Sequence, residues 1–170
     1  SPVRWASTTS VALGDVDADG DLDLVCGNAS HSTTLYRNLG TTFEPTPSWS
    51  SGPQDQTNGV VLGDVDGDGD LDLVCGNWNR SALYLNLGTT FETTPSWSSG
   101  QQGFTRGVAL GDVDGDGDLD LVCGNAHGSA LYRNLGTTFE PTPSWSSVQQ
   151  DGTSSVALGD VDGDGDLDLV

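Results

Sequence analysis

Basic residues are nearly missing from this sequence: there are five in 170 positions, all arginine, against 25 aspartates and glutamates. A formal charge of -20 repels phosphate backbones and anionic headgroups, so neither nucleic acid nor anionic lipid is expected as a partner. Long apolar runs are lacking too. No stretch approaches the roughly 20 residues a helix needs to cross a bilayer, so no membrane insertion is expected. No segment sustains an apolar period of roughly 3.6 residues, so essentially no helix is expected. Cysteine is scarce: Cys26, Cys75 and Cys123 are an odd number at equivalent positions, which argues against a disulfide framework. They read as small buried hydrophobes, with bonding between chains as the lesser alternative.

What charge there is has been concentrated. The segments Asp15 to Asp23, Asp64 to Asp72, Asp112 to Asp120 and Asp160 to Asp168 carry five aspartates each. The acidic residues left over (Glu44, Asp55, Glu92, Glu140 and Asp151) are matched by Arg4, Arg37, Arg80, Arg106 and Arg133. The body of the protein is neutral, and the excess negative charge sits in four short segments. A merely soluble acidic surface would spread it.

Those segments recur with spacings of 49, 48 and 48 residues, and Gly63 to Asn77 reads GDVDGDGDLDLVCGN, as does Gly111 to Asn125. A fixed period in this range means a propeller, a solenoid or an array of small modules. Each unit reads as four short strands, for the first unit Val11 to Gly14, Leu22 to Cys26, Thr34 to Asn38 and Phe43 to Trp49, with a turn at Leu39-Gly40-Thr41-Thr42. The first strand has small residues and Gly14, suited to close backbone approach. The second carries Leu22, Leu24 and Cys26 on one face and Val25 on the other, as if buried on both sides. Pro45 and Pro47 cannot donate to a ladder, which places the fourth strand at an edge. The expected fold is all-β: propeller-type blades of four-stranded antiparallel meanders, about three and a half repeats of 48–49 residues. The expected divisions are an outer-strand remnant with an inter-blade loop (1–10), repeats at 11–59, 60–107 and 108–155, and a partial repeat at 156–170.

The aspartate loops have the chemistry of a calcium site. Calcium takes six to eight oxygens from carboxylates and carbonyls. The side chains of Asp15, Asp17, Asp19 and Asp23, with the carbonyl of Asp21, supply such a set around the bend that Gly20 permits. The equivalent sets are Asp64, Asp66, Asp68 and Asp72 with Asp70; Asp112, Asp114, Asp116 and Asp120 with Asp118; and Asp160, Asp162, Asp164 and Asp168 with Asp166. One Ca2+ per loop, four in all, is expected. Two carboxylates about 4 Å apart repel by roughly 4 kcal/mol at an effective dielectric of 20, a repulsion that a divalent cation reverses. Magnesium fits less well because it keeps a small octahedral shell with several waters. An EF-hand would need a glutamate where Cys26 stands, and helices where the flanks read as strands.

The loop GDVDGDGDLDLVCGN at this period resembles the FG-GAP/VCBS repeats of integrin α-subunit propellers and many secreted bacterial proteins. The resemblance covers nearly the whole chain. It implies a bladed all-β fold with Ca2+ between the first and second strands, an extracellular or cell-surface location, and a role in adhesion or ligand recognition. Members normally carry about seven units in a closed ring, and this chain has fewer. Ser1 to Trp5 resembles the tail of a fourth strand, and Val170 stops inside a second strand. Near-identical units with open ends also suit head-to-tail assembly, in which further copies of the chain or of the repeat array build a filament.

The repeats differ mainly in two connections, between the second and third strands and between blades. In an antiparallel meander both lie on the face opposite the aspartate loops. This makes Trp78, Arg80, Phe104, Arg106 and His127 candidate contacts for a protein or glycan ligand, although drift in exposed loops accounts for the variation equally well. Trp49, Trp97 and Trp145 recur in a Pro-Ser-Trp motif and are expected to pack between blades, with a sugar-stacking platform, as in a lectin, the alternative. Asn28 and Asn79 stand in N-glycosylation triplets. His31 and His127 lie in variable loops and no nucleophile-base set recurs, so no enzyme activity is expected.

Overall fold

The computed structural model describes residues 7–52, 56–100, 103–148 and 152–170. Among these there is no helix, and hence none long and apolar enough to cross a membrane. The first sheet runs β1 (Thr8–Gly14), β2 (Asp23–Asn28), β3 (Thr34–Tyr36) and β4 (Trp49–Ser50). The second has β5 (Thr57–Gly63), β6 (Asp72–Asn77), β7 (Ala82–Tyr84) and β8 (Trp97–Ser98). The third has β9 (Thr105–Gly111), β10 (Asp120–Asn125), β11 (Gly128–Tyr132) and β12 (Trp145–Ser146). A pair, β13 (Leu158–Gly159) and β14 (Asp168–Leu169), completes the described chain. In every sheet, consecutive strands are hydrogen-bonded neighbours, and every pairing is antiparallel. This is an all-β, propeller-like array of meanders, as the repeat pattern implies. The segment Ser1 to Trp5, read as a strand remnant, lies outside the described residues.

The register explains the alternation. Val11 faces Cys26, Ala12 faces Val25 and Leu13 faces Leu24 across the first pair. Since side chains alternate between faces, Val25 and Leu35 point toward the second sheet and are fully buried, whereas Val11 and Leu13 point away and are mostly exposed. Strands β6 and β10 are buried along their whole length, while β2 is buried only at alternate positions before Gly27. The two-sided burial expected of the second strand therefore depends on having a neighbour on each side.

The expected outer strand, Phe43 to Trp49, is a correction. Phe43 makes only an isolated bridge to Asn38, and ladder pairing resumes at Trp49. Between them the Glu44 N–H donates to Arg37 O at 2.9 Å and the Ser48 N–H to Leu35 O at 3.0 Å. The interval holds Pro45 and Pro47, which have no N–H to give. In the second sheet Thr93 replaces the first of these prolines and the same gap persists, from Glu92 N–H to Ser96 N–H. Pro95 alone accompanies the break there.

First strands of successive sheets lie side by side. The Thr9 hydroxyl donates to Thr57 O at 2.6 Å, and the Asn58 side-chain amide donates to Thr105 O at 2.9 Å. Glycines make this approach possible: a Cβ on Gly59 would stand 3.2 Å from Arg106 O and 3.3 Å from the Gly107 Cα. At the loop end of the same strands, leucines from the later sheet close on a glycine of the earlier one. A Cβ on Gly14 would meet Leu71 Cδ1 at 2.7 Å and Leu62 Cδ1 at 2.8 Å, and Gly63 is closed in the same way by Leu110 and Leu119.

The core lies between sheets. Val25, Leu35 and Trp49 pack on Leu73, Cys75, Tyr84 and Phe91, and the same set recurs one sheet later. The Trp49 ring stands 5.2 Å from both Tyr84 and Phe91, edge-on at 75°. The indole N–H, which would be costly to bury unpaired, donates to Glu92 O at 3.0 Å. Burying a tryptophan removes on the order of 200 Å² from water, about 5 kcal/mol at about 25 cal/mol per Å². Trp49 and Trp97 are thus inter-sheet wedges, whereas Trp145, also expected to pack between blades, is 46% exposed.

Candidate metal centre

Each aspartate loop joins a first strand to a second and bends twice, in the last three loops at glycine both times. In the second loop Gly67 and Gly69 have φ of 75° and 96°, a region that L side chains rarely adopt. The first aspartate caps this bend itself. Asp64 Oδ1 accepts the Gly67 N–H at 2.8 Å, and Oδ2 accepts the Gly69 N–H at 3.1 Å. The fifth-position aspartate makes a local turn, as Asp68 Oδ1 accepts the Asp70 N–H at 2.9 Å. The first loop departs in one respect: Ala18 takes the place of the first glycine at φ 56°, the one non-glycine among the described residues with positive φ.

These bends converge carboxylates. Oxygens of Asp64, Asp66 and Asp72 lie within 4.8 Å of one another, as do those of Asp112, Asp114 and Asp120 and those of Asp160, Asp162 and Asp168. In the first loop the converging set is Asp15, Asp17 and Asp19, while Asp23 is fully buried and near enough to raise the Asp17 pKa. The seventh-position side chains turn elsewhere: a Cβ on Gly40 would stand 3.4 Å from Asp21 Oδ2, so Asp21 sits against the turn that follows β3. Asp70 and Asp118 hold the same place against Gly88 and Gly136.

The ninth-position aspartates lie deepest. Asp72 is 1% exposed, with Oδ2 accepting the Val65 N–H at 2.9 Å and Oδ1 the Asn86 N–H at 2.8 Å. Burial pushes its carboxyl up to about 6, against the pull of those N–H groups and with a further push from Asp66. Burial also raises Asp17, Asp66 and Asp120; for Asp17 the charges of Asp23 and Asp19 add to it, and Arg37 opposes it. Acidic groups held close and half out of water are unfavourable without a counter-charge.

Do these residues fit a calcium ion? Oxygens ligating one Ca2+ at about 2.3–2.6 Å stand no more than roughly 5 Å apart, and the four clusters meet that limit. Asp17 Oδ1 is buried with no hydrogen-bond partner, as a ligand oxygen would be. The donor set is all oxygen, which suits a hard cation. The fit is good. Arginine supplies part of the counter-charge at two loops: Arg37 Nε lies 3.4 Å from Asp17 Oδ2, and the Arg133 guanidinium pairs with Asp114. The second loop has Leu85 at that position.

Of the residues proposed for a ligand face, four come together and one does not. Trp78, 52% exposed, stands edge-on to Phe104 with ring centroids 4.2 Å apart. The Arg106 guanidinium lies 5.0 Å from the Phe104 centroid, and His127 sits beside Gly103. Arg80 instead lines a separate recess with Gly52, Tyr84 and Pro95. The glycosylation triplet at Asn28 is corrected: this residue is 4% exposed. Its Nδ2 donates to Ser32 O at 2.8 Å, which leaves no free nitrogen for a glycan. Asn79 is exposed in the connection after β6.

Residues that sequence reasoning did not single out are Asn38, Asn86 and Asn134, whose N–H groups each hold a ninth-position aspartate. Recurrence at one position of every unit was the available signal.

The FG-GAP-like repeat profile matches residues 15–75, 64–123 and 112–170. No curated protein matches the chain in sequence. Among solved structures, BBS1N in complex with ARL6DN is similar at 13% identity and a TM-score of 0.62, covering 92% of this chain and 49% of that one. An Agrocybe aegerita lectin that recognises non-reducing terminal N-acetylglucosamine is similar at 20% identity and 0.60, covering 94% and 45%. The V. cholerae biofilm matrix protein Bap1 is similar at 17% identity and 0.59, covering 97% and 28%. The chain spans less than half the length of each, and at these identities the likeness is one of fold.

Proposed function

We propose, from the premise that this chain belongs to the FG-GAP-like repeat family, that it is a calcium-stabilised extracellular scaffold for adhesion or ligand binding, without catalytic chemistry of its own. One observation carries the reading. Carboxylate triads recur at the same end of four successive units, each tied into the sheet by a buried or capping aspartate. An ion in each loop would remove the repulsion among these groups and fix the bend between first and second strands. The location outside the cell is part of the same proposal; extracellular modules bind calcium at about 10⁻⁴–10⁻³ M. The first aspartates are engaged in capping their own loops, an arrangement that favours structure over turnover.

The test is calorimetric titration of the chain with Ca2+ and with Mg2+, alongside melting curves with and without chelator. Four calcium ions per chain and a chelator-sensitive melting temperature are expected. A melting curve indifferent to chelator would end this reading.

For the ligand, Trp78, Phe104, Arg106 and His127 offer an aromatic and cationic patch on the face away from the aspartates. A glycan or an acidic protein segment suits it, since arginine and aromatic rings are what such ligands are stacked and paired on. Trp78→Ala and Arg106→Ala are expected to abolish binding to any glycan retained on an array.

Self-association is a second reading with its own support. Leu13 and Leu22 are 58% and 54% exposed, and they are the counterparts of the leucine pairs that close on Gly14 and Gly63. A Cβ on Gly159 would find nothing within 4 Å. A further unit of the same repeat, from the same array or from another copy of the chain, fits between such faces. Light scattering with Ca2+ decides: concentration-dependent growth blocked by Leu13→Glu supports it, and a monodisperse single-chain particle removes it.

A further inference from the structure

The asparagine that follows each third strand does more than hold its own loop. Asn86 has its N–H on Asp72 Oδ1, while its Nδ2 donates to Leu71 O at 3.1 Å within the second loop. The same Nδ2 also donates to Val16 O at 2.8 Å, in the aspartate loop of the preceding sheet. The Val16 N–H in turn donates to Asp23 Oδ2 at 3.0 Å. One residue therefore links the deep aspartate of the second loop to the backbone that carries the deep aspartate of the first.

The link recurs. Asn134 has its N–H on Asp120 Oδ1 and its Nδ2 on both Leu119 O and Val65 O, the latter at 2.8 Å. The Val65 N–H donates to Asp72 Oδ2. Hydrogen bonds thus run without a break from Asp23 through Val16, Asn86, Asp72, Val65 and Asn134 to Asp120. Both bridging asparagines are buried, 5% and 6% exposed. Asn38 likewise holds Asp23 and Leu22 O of its own loop.

We infer that Asn86 and Asn134 are positioning residues that couple cation occupancy of the first three loops, so that filling one loop raises the affinity of the loop before it. Fixing the Asp72 carboxylate on an ion fixes the Asn86 backbone. That in turn holds the Asn86 amide on Val16 and keeps the first loop in its ligating bend. An energetic coupling of this kind is reciprocal and is typically worth a factor of about five or more in affinity. The inference rests on the aspartate loops being cation sites.

The experiment uses the full chain and Ca2+ itself, with amide resonances of Gly20, Gly69, Gly117 and Gly165 reporting each loop separately. Asp66→Asn removes a ligand from the second loop and leaves the asparagine in place. It is expected to weaken the first loop about fivefold or more. Asp114→Asn in the third loop is expected to weaken the second in the same way, through Asn134. In the Asn86→Ala background the first loop should start weaker, and adding Asp66→Asn should not weaken it further. Neither Asp→Asn arm touches an asparagine, so the comparison stands even where Asn86→Ala fails to fold. Four loops that titrate independently would overturn the coupling while leaving the metal centre intact. So would a first loop that Asp66→Asn weakens as much in the Asn86→Ala background as without it. No calcium response at any glycine would instead remove the metal centre itself.

Discussion

Trp97 stands edge-on to Phe139 of the following sheet, with ring centroids 5.2 Å apart at 75°, and its indole N–H reaches Glu140 O at 3.0 Å. Trp49 makes the same contacts one sheet earlier, whereas Trp145 meets no such ring among the described residues and is 46% exposed. Three copies of one motif therefore occupy two environments. Trp97→Ala is expected to destabilise the protein by about 3–5 kcal/mol, as large-to-small changes in a core do. Trp145→Ala should cost less than about 1 kcal/mol. Urea unfolding of the two variants checks this; equal losses would mean that the wedge role is misassigned.

The first loop carries a built-in strain at Ala18, φ 56°. Left-handed backbone costs an L residue about 1 kcal/mol or more. Ala18→Gly should therefore stabilise the protein by up to about 1 kcal/mol, and Gly67→Ala should destabilise it by a similar amount. Chemical denaturation of both gives the answer, and a stabilising Gly67→Ala would contradict the account.

Thiol chemistry separates the three equivalent cysteines. Cys75 and Cys123 are buried, and burial pushes the Cys123 thiol up to about 12, far from the reactive thiolate. Cys26 is half-buried on the open face of the first sheet. An alkylating reagent should modify one thiol in the folded protein, at Cys26, and all three after unfolding. Mass spectrometry of digested protein locates the adduct. Rapid modification at Cys75 would show that the first two sheets do not stay together.

Acid and calcium should act in opposite senses. The Asp72 carboxyl lies near 6 in the metal-free fold against 3.8 ordinarily, so the folded chain holds a proton that the unfolded chain releases between those values. Stability from this group is complete below the lower value and is lost as pH rises through the higher one. The metal-free protein is expected to melt at a higher temperature near pH 5 than near pH 7.5. Calcium, which needs the ionised carboxylate, should stabilise most near pH 7.5. Scanning calorimetry in chelator across that interval tests the sign, and a steady rise toward pH 7.5 would refute it.

Much of this was legible in the residues. Asp and Gly at fixed offsets specify the loop because only a few backbone conformations aim alternate oxygens at one point. The inner strand was legible from Gly14 and the wedges from their recurring Pro-Ser-Trp. Two things were not. The outer strand was drawn too long because Phe43 to Trp49 alternates like a strand, whereas the chain leaves the ladder between Glu44 and Ser48. The roles of Asn86 and Asn134 were invisible because their partners, Val16 and Val65, lie 70 and 69 residues earlier, and nothing local in a sequence encodes a contact made only when two units stack. Arg133 was counted as background charge although its partner, Asp114, stands in the same unit.

The one-sided cover on β2, set against the full burial of β6 and β10, also governs how the molecule comes apart. In a repeat array each unit draws its stability from its own residues and from the neighbours it touches. Opening should therefore begin at the margins and travel inward, with amide protons around Leu73 and Leu121 the last to exchange with solvent and those of β14 among the first.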